Sequence, residues 1–301
     1  MILLMGPMAD PVLANVCARL AARNADLMLV HPESEGDSWD IAWSTEQSAM
    51  ADRLCIGNRT IHLSDIDSVY LRSLGSRAAS TPRERMIATS LWEFAESLPM
   101  LVVNRRQASH TNMSKPYQQR LIAQYGFQVP RTLVTMVPEE ARMFYDEYQG
   151  RVIYKSISAE RSIVKPLTPE DFSRLEQIRY CPVQLQETIP GTDLRIHTVG
   201  DRLFATEVLS DGADYRYAER ENKQRTMRAV ELEPDVQTRC LNLAKGLGLS
   251  LSGIDLRRTP DGAYYCFEVN TSPGFTFFEN YTGQRIGDAL ADLLCVGRAS
   301  S

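Results

Sequence analysis

The sequence predicts an α/β fold that becomes α+β in its C-terminal, catalytic part. Three observations point there. Residues 1–104 alternate short apolar runs with segments of helical period. Residues 130–155 repeat the order strand, helix, strand. From residue 184 onward, strand-like runs are joined by short turn signals, Gly200-Asp201 and Asp261-Gly262, which mark antiparallel hairpins. The chain has 301 residues, enough for two domains or one elaborate one.

Ile2 to Met5 and Leu27 to Val30 are short buried strands around a helix from Pro11 to Asn24, whose Val12, Val16 and Leu20 share one face. Strand, helix, strand predicts a parallel pair. The opening lacks Gly-x-Gly-x-x-Gly, so a dinucleotide fold is not supported. Short strands follow within 41–63, with Gly57-Asn58 as a turn, and Asp65 to Leu71 is another strand. Pro82 to Leu98 is a helix expected to turn Met86, Leu91 and Phe94 inward, before the strand Met100 to Asn104. Arg105 to Met113 is the polar stretch where a boundary is expected, giving segments 1–108, 109–183 and 184–301. A helix from Ser114 to Tyr125 stops at Gly126. Pro130 to Thr135 and Arg151 to Lys155 are strands, Pro138 opens a helix, and Thr168 to Arg179 is expected to be helical. Gln184 to Ile189 is a strand, and Asp193 to Val199 pairs with Arg202 to Leu209. Asp211 to Lys223 is polar and expected to be mobile. Pro234 to Gly246 turns Val236, Cys240 and Leu243 inward, and 279–295 holds one last helix.

Composition narrows the function classes. The formal net charge of -5 argues against a nucleic-acid binder. No run is apolar and long enough for a signal peptide or membrane span. The 6 cysteines are scattered without a Cys-x-x-Cys pair, which suits reduced thiols in the cytoplasm. The 4 histidines form no metal-spaced pair.

The most informative stretch is 253–274. Asp261-Gly262 separates Ile254–Arg258 from Ala263–Asn270. Strand alternation sets Tyr265, Phe267 and Val269 on one face and Cys266, Glu268 and Asn270 on the other. A two-residue loop pairs Pro260 with Ala263 and sets Asp255 opposite Glu268, and a longer loop shifts that by a residue. Either register gathers three oxygen ligands, Asp255, Glu268 and Asn270, as a hard cation such as Mg2+ requires. The bland alternative is a solvated polar face. Lys155 closes an apolar run and so needs a partner near the interior. Asp193 and Arg195 share one strand face, with Leu194 and Ile196 on the other.

In their order along the chain, these residues resemble the ATP-grasp ligases, from about Asn104 to Leu294. The look is nearest to the branch of ribosomal-protein glutamate ligases and peptide-crosslinking graspetide synthetases. Phe127 to Val134, Gln184 to Arg195 and Gly253 to Gly274 carry it, and Val69 to Arg72 with Thr282 to Ile286 lean towards the graspetide side. The resemblance implies an ATP-grasp fold after an N-terminal pre-ATP-grasp α/β domain. It implies that Lys115 and Lys155 approach the phosphates of ATP. Gln186, Glu187, Thr188 and Ile189 would line the adenine, and Asp193 would meet the ribose. Arg216 would lie near the phosphates, and Asp255, Glu268 and Asn270 would hold one or two Mg2+, with Mn2+ as an alternative. Arg195 and Arg216 are the candidates for steadying the transferred phosphoryl group or the substrate carboxylate.

The expected reaction activates a carboxylate as an acyl phosphate and joins it to an amine or hydroxyl, with a peptide or small carboxylate as substrate. The competing readings are a dipeptide-type small-molecule ligase and a non-catalytic nucleotide-binding module. The family often assembles as dimers or tetramers, so a homo-oligomer is compatible. One departure stands out: where glutamate-ligase relatives have a glycine-rich loop, this chain reads Ser156 to Ser162 without glycine, so Ser156, Ser158, Arg161 or Ser162 would have to meet phosphate instead.

Overall fold

The computed structural model describes residues 1–31, 39–42, 53–56, 59–72, 81–157, 164–210 and 225–297. Arg216, Ser158, Arg161, Ser162, Gly57-Asn58 and all of Asp211 to Lys223 lie outside them, so the expectations for those residues are not addressed.

The N-terminal part is built on β1 (Ile2–Met5), α1 (Pro11–Ala22) and β2 (Leu27–Val30). After β3 (Trp39–Ala42), β4 (Arg53–Ile56) and β5 (Arg59–His62) come β6 (Ser68–Leu71), α2 (Pro82–Ser97) and β7 (Leu101–Val103). One sheet runs β2-β1-β6-β7, every pair parallel, as the strand–helix–strand order predicts. Alternation explains why β1 has no polar residue. Leu3 and Met5 enter the core under α2, while Ile2 and Leu4 enter a second core under α1. The strands β3-β4-β5 form a separate antiparallel sheet. In α2 the inward residues are Ile87, Leu91, Phe94 and Ala95, whereas Met86 is exposed. The expectation for Met86 fails because 86 to 91 is five residues, well off one helical face, while 87, 91 and 94 follow the helical period.

Next come α3 (Arg106–Ser109), α4 (Lys115–Ala123), β8 (Thr132–Thr135), α5 (Pro138–Glu147), β9 (Val152–Ser156), β10 (Lys165–Pro166) and β11 (Val183–Glu187). They give an antiparallel sheet in the order β10-β9-β11-β8. One face is covered by α5 and by residues 169–180, which are helical as expected and form a 3-10 helix. The other face is left to the cleft.

The C-terminal part holds β12 (Thr192–Val199), β13 (Arg202–Ser210), β14 (Arg225–Val230), α6 (Pro234–Gly246), β15 (Leu251–Arg258) and β16 (Tyr264–Asn270). The sheet order is β14-β13-β12-β15-β16, antiparallel throughout, with the expected β12–β13 hairpin closed over Gly200-Asp201. Val236, Cys240 and Leu243 of α6 and Ile122 of α4 pack behind it. The expected single helix over 279–295 is two, α7 (Thr276–Thr282) and α8 (Ile286–Val296), broken at Gly283, whose φ is 70.

The last helix returns to the N-terminal sheet. Ile286, Leu290 and Leu294 share one core with Leu4, Val16 and Tyr70, and with Val199 and Leu251 of the C-terminal sheet. An ionic cluster fastens the rim of this junction. Arg23 reaches Asp288 at 3.0 Å and Asp292 at 2.8 Å, Arg19 reaches Glu279 at 3.0 Å, and Arg202 reaches Asp292 at 2.9 Å. Burial pushes the Asp288 carboxyl up, but hydrogen bonds from Arg285 and Arg23 and the charge of Arg19 outweigh it and bring it down to about 2 from 3.8.

A carboxyl lowered on folding stabilises above its unfolded value and loses that contribution as pH falls through the folded one. Asp288→Asn is therefore expected to cost about 1 kcal/mol in urea unfolding at neutral pH, the solvated setting keeping it small. The difference from the wild-type chain should close as pH falls from near 4 to near 2. A difference that stays constant across that interval would remove this role.

Candidate active site

The hairpin of β15 and β16 reaches its expected pairing by an unexpected route. Its loop is three residues, Pro260 to Gly262, because Thr259 N–H donates to the Ala263 carbonyl (2.9 Å) and Gly262 N–H to the Thr259 carbonyl (3.0 Å). Gly262 has φ +88, which suits glycine at the last position of such a loop. This shifts the register by one, so Arg258 pairs with Tyr264. A β-bulge between Asp255 and Leu256 then restores it, and Asp255 faces Glu268 after all. The extra residue, Phe267, breaks the alternation. Tyr264, Cys266 and Val269 are buried in the core, while Phe267 and Glu268 both line the cleft. The expected grouping of Cys266 with Glu268 and of Phe267 with Val269 is thus corrected by the bulge.

The two acids meet cations. Arg195 Nη1 donates to Asp255 Oδ1 at 2.6 Å, and Lys115 Nζ lies 3.9 Å from Glu268 Oε2. Asn270 Oδ1 accepts from the Ser272 N–H at 2.9 Å. Arg195, only 6% exposed, is held from several sides. Its Nε donates to His197 Nε2 at 3.4 Å, and its guanidinium stands 5.6 Å from the Phe278 ring centre. His197 itself packs edge-on against Phe278. Burial, then the charge of Arg195, holds the His197 imidazole well below its usual range, so it is a neutral acceptor. Gly253 leaves the last side open: a Cβ there would come 2.2 Å from Arg195 Nη2 and 2.8 Å from Pro273 Cβ.

Across the cleft stands the free face of the β10-β9-β11-β8 sheet. Lys155 on β9 is 7% exposed, and its Nζ donates to Gln186 Oε1 at 3.3 Å. Gln186 Nε2 donates in turn to Thr132 Oγ1 at 3.1 Å. Beyond them the linker Glu187 to Ile189 leads to β12. Its Glu187 and Thr188 N–H groups are already donated to the Arg131 and Arg151 carbonyls. The Ile189 carbonyl accepts from Arg257 at 2.8 Å, so a ligand would meet the remaining linker groups. Arg257 also binds Asp193 at 2.7 Å and stands over the Phe267 ring.

A cavity of about 470 Å³ lies between the two sheets. Lys115, Lys155, Asp193, Asp255 and Glu268 all line it, with the linker at one end. Nine of the twelve residues singled out from the sequence line this cavity; Arg195 contacts its Asp255, Asn270 lies two residues past its Glu268 on β16, and Arg216 is outside the described residues, as are the loop residues Ser158, Arg161 and Ser162. The donors suit a hard cation. Two carboxylates and a carboxamide are oxygen ligands, and no group of three or more His, Cys, Asp or Glu side chains is gathered for a metal among the described residues. That leaves coordination places for phosphate oxygens and water, as Mg2+ prefers.

Several supporting residues escaped the sequence reading. Arg257 had a signal, since it lies two after Asp255 and hence near the same face. Asn104 is buried and fully used: its Oδ1 accepts from Ser250 and Leu251 N–H, and its Nδ2 donates to the Leu251 and Thr271 carbonyls. Gln118 is 1% exposed, and its carboxamide binds the Val269 backbone. A glutamine four residues before the buried Ile122 was a visible anomaly on the inner face of α4. His197 gave no signal beyond one polar residue in an apolar strand.

Comparison with known proteins agrees with this geometry. The family of the RimK-like ATP-grasp domain matches residues 113–294. A probable alpha-L-glutamate ligase from Trichodesmium erythraeum is 23% identical over 209 residues, covering 66% of this chain and 69% of that protein. The ATP-grasp ligase PsnB, solved with a phosphomimetic variant of a minimal precursor, Mg and ADP, superposes with a TM-score of 0.83 at 26% identity, covering 98% of this chain and 97% of that one. The macrocyclase MdnC from Microcystis aeruginosa, bound with its precursor peptide, shares the fold with a TM-score of 0.80 at 21% identity, over 98% of this chain and 99% of the other.

The crowding at Gly253 is testable without any ligand. Gly253→Ala is expected to cost about 1–3 kcal/mol in urea unfolding. Combined with Arg195→Ala the loss should fall short of the sum, because removing the guanidinium clears one of the two obstacles. Additive losses would show that Arg195 is not what the glycine makes room for.

Proposed function

Because this chain belongs to the RimK-like ATP-grasp family and is an ATP-dependent ligase, we propose that it activates a carboxylate of a peptide and joins it to an amine or hydroxyl. The observation that carries the reading is the cleft itself: Lys115 and Lys155 line the same cavity as Asp255 and Glu268, and Arg195 stands behind Asp255. Like-sized groups of cations and oxygen ligands suit a triphosphate with its metal better than they suit an uncharged substrate.

In this reading, Lys115 and Lys155 neutralise phosphate oxygens, and Gln186 with the linker to Ile189 lines the adenine. Asp193, steadied by Arg257, takes the ribose. Asp255, Glu268 and Asn270 hold one or two Mg2+, or Mn2+ in its place. A metal held by these residues would supply positive charge to the phosphates. The substrate carboxylate attacks the γ-phosphorus, the bond to the β-phosphate oxygen breaks, and ADP departs. The amine or hydroxyl then attacks the acyl carbon of the acyl phosphate. The carbon–oxygen bond to phosphate breaks, and the proton leaves with the phosphate. Phosphoryl transfer asks little covalent work of the protein, so the chain's contribution is positioning and charge. Arg195 suits the transferred group or the substrate carboxylate because a guanidinium meets either with paired donors. Arg216, outside the described residues, is assigned the same role.

A peptide is favoured over a small metabolite because the likeness to PsnB, solved with a peptide precursor, runs through 98% of this chain, the first hundred residues included. The parallel sheet and its flanking helices would form the pre-ATP-grasp domain, 1–108, before a central segment, 109–183, and a catalytic segment, 184–301. Free thiols at all six cysteines fit the cytoplasm. No helix among the described residues is long and apolar enough to cross a membrane.

The test is ADP release with Mg2+ and peptides encoded beside the gene. Asp255→Asn and Glu268→Gln should each lower it by about a hundredfold or more. Undiminished turnover in either variant would sink the metal assignment. Tight ATP binding by calorimetry with no ADP from any peptide or amino acid would instead mark a binding module.

A further inference from the structure

The strand β16 is the last of its sheet, so one row of its backbone groups has no strand partner. The protein covers that row in two pieces. Near the turn, Gln128 does so with its own main chain: its N–H donates to the Tyr264 carbonyl at 3.3 Å, and its carbonyl accepts from the Cys266 N–H at 2.8 Å. Then comes the bulge at Phe267, and the main-chain cover stops. Past it, the next outward-facing residue is Val269. Its N–H donates to Gln118 Oε1 at 2.9 Å, and its carbonyl accepts from Gln118 Nε2 at 2.8 Å. A carboxamide presents one acceptor and one donor at the spacing of a peptide group, so Gln118 stands in for a missing strand at one residue.

That residue lies between Glu268 and Asn270. Val269 is fully buried in the core, so the two flanking side chains must point the opposite way, into the cleft. Gln118 is also one turn from Lys115 on α4, and Lys115 Nζ lies 3.9 Å from Glu268. One short helix thus delivers a cation to a candidate metal ligand and grips the backbone that carries it.

We propose that Gln118 is a positioning residue for the metal site: through the Val269 peptide it fixes the register beyond the bulge, and with it the aim of Glu268 and Asn270. The inference rests on the metal reading of those two residues. Gln118 is 1% exposed and is not among the residues that line the cavity. Its effect should therefore fall on metal affinity and leave metal-free nucleotide binding alone. Groups that orient metal ligands without touching the metal commonly change affinity by about 10–100-fold.

The experiment uses the full chain. ADP binding is measured by calorimetry in EDTA and then across a Mg2+ series, for wild type, Gln118→Leu, Gln118→Glu and Ile122→Val. Ile122→Val loosens the same helix through the core it shares with β16 but keeps both Gln118 hydrogen bonds to Val269, and urea unfolding reports the stability of each. The expected result is a rise of about tenfold or more in the Mg2+ concentration at half-effect for Gln118→Leu. Gln118→Glu, which keeps an acceptor for the Val269 N–H, should fall between it and wild type. ADP affinity in EDTA should stay level, and Ile122→Val should leave the Mg2+ midpoint unchanged. A Mg2+ midpoint within twofold of wild type in Gln118→Leu overturns the proposal, as does a shift that Ile122→Val reproduces at equal loss of stability. Failure of wild type itself to bind ADP in EDTA would strike the nucleotide reading, whereas ADP binding that Mg2+ never strengthens would strike the metal reading and this proposal with it.

Discussion

The register of one hairpin governs the site. Side chains on a strand change face with every residue, so a slip of one position would turn Glu268 into the core and bring Val269 to the cleft. The three-residue loop introduces such a slip, and the bulge at Phe267 removes it. What remains is a strand whose first half obeys one alternation and whose second half obeys the other. Both halves keep their apolar residues inside: Tyr264 and Cys266 before the bulge, Val269 after it. The bulge therefore costs no core contact, and it lets two adjacent residues, Phe267 and Glu268, face the cavity together. An aromatic ring and a metal-seeking carboxylate become neighbours, which a regular strand cannot arrange.

Charge is the second constraint. Carboxylates brought together in a partly closed cleft repel one another unless cations answer them. Here Asp255 is answered by Arg195 and Glu268 by Lys115, so the oxygen ligands are neutralised before any metal arrives. The arrangement has a consequence for Arg195. Hemmed in by His197, Phe278 and the bare face of Gly253, its guanidinium has little room to move, and a neutral imidazole below it adds no competing charge. A cation that is already desolvated and aimed interacts strongly with an arriving anion at little cost in reorganisation. The same side chain can serve the empty site and the loaded one.

Much of this was legible in the sequence, and the limits have physical causes. The parallel pairing of β1 with β2 followed from the strand–helix–strand order, because a crossover helix returns the chain in the same direction. The β12–β13 hairpin followed from Gly200-Asp201. Asp255, Glu268 and Asn270 were legible from spacing, and the pairing of Asp255 with Glu268 came out as one of the open registers. The bulge was not legible: it inserts one residue without a turn signal, so Cys266 and Phe267 were placed on the wrong faces. Met86 was misplaced because methionine and isoleucine are both apolar and only the helical period separates Met86 from Ile87. The roles of Asn104 and Gln118 were hidden in a different sense. Their partners are backbone groups 147 and 151 residues away, and main-chain partners leave no trace in side-chain patterns.

Those long connections bear on how the first hundred residues act. Arg72, just past β6, pairs with Asp10 at 2.8 Å and donates to Ser272 Oγ at 2.6 Å, while the Ser272 N–H donates to Asn270 Oδ1. Asn104 ties the start of β15 to Thr271, just past the end of β16. Glu279 on α7 accepts from Asn15 and Arg19 on α1, beside the Phe278 that packs on His197 and Arg195. The N-terminal sheet thus grips the catalytic hairpin at its open end and the aromatic helix at its outer side. It also buries Leu251 and Phe275 in the core it shares with α8. A substrate-recognising appendage would need only a surface. A part that hydrogen-bonds the residues next to Asn270 and backs the helix beside Arg195 also holds the candidate site in shape, so the N-terminal part and the cleft are mechanically joined.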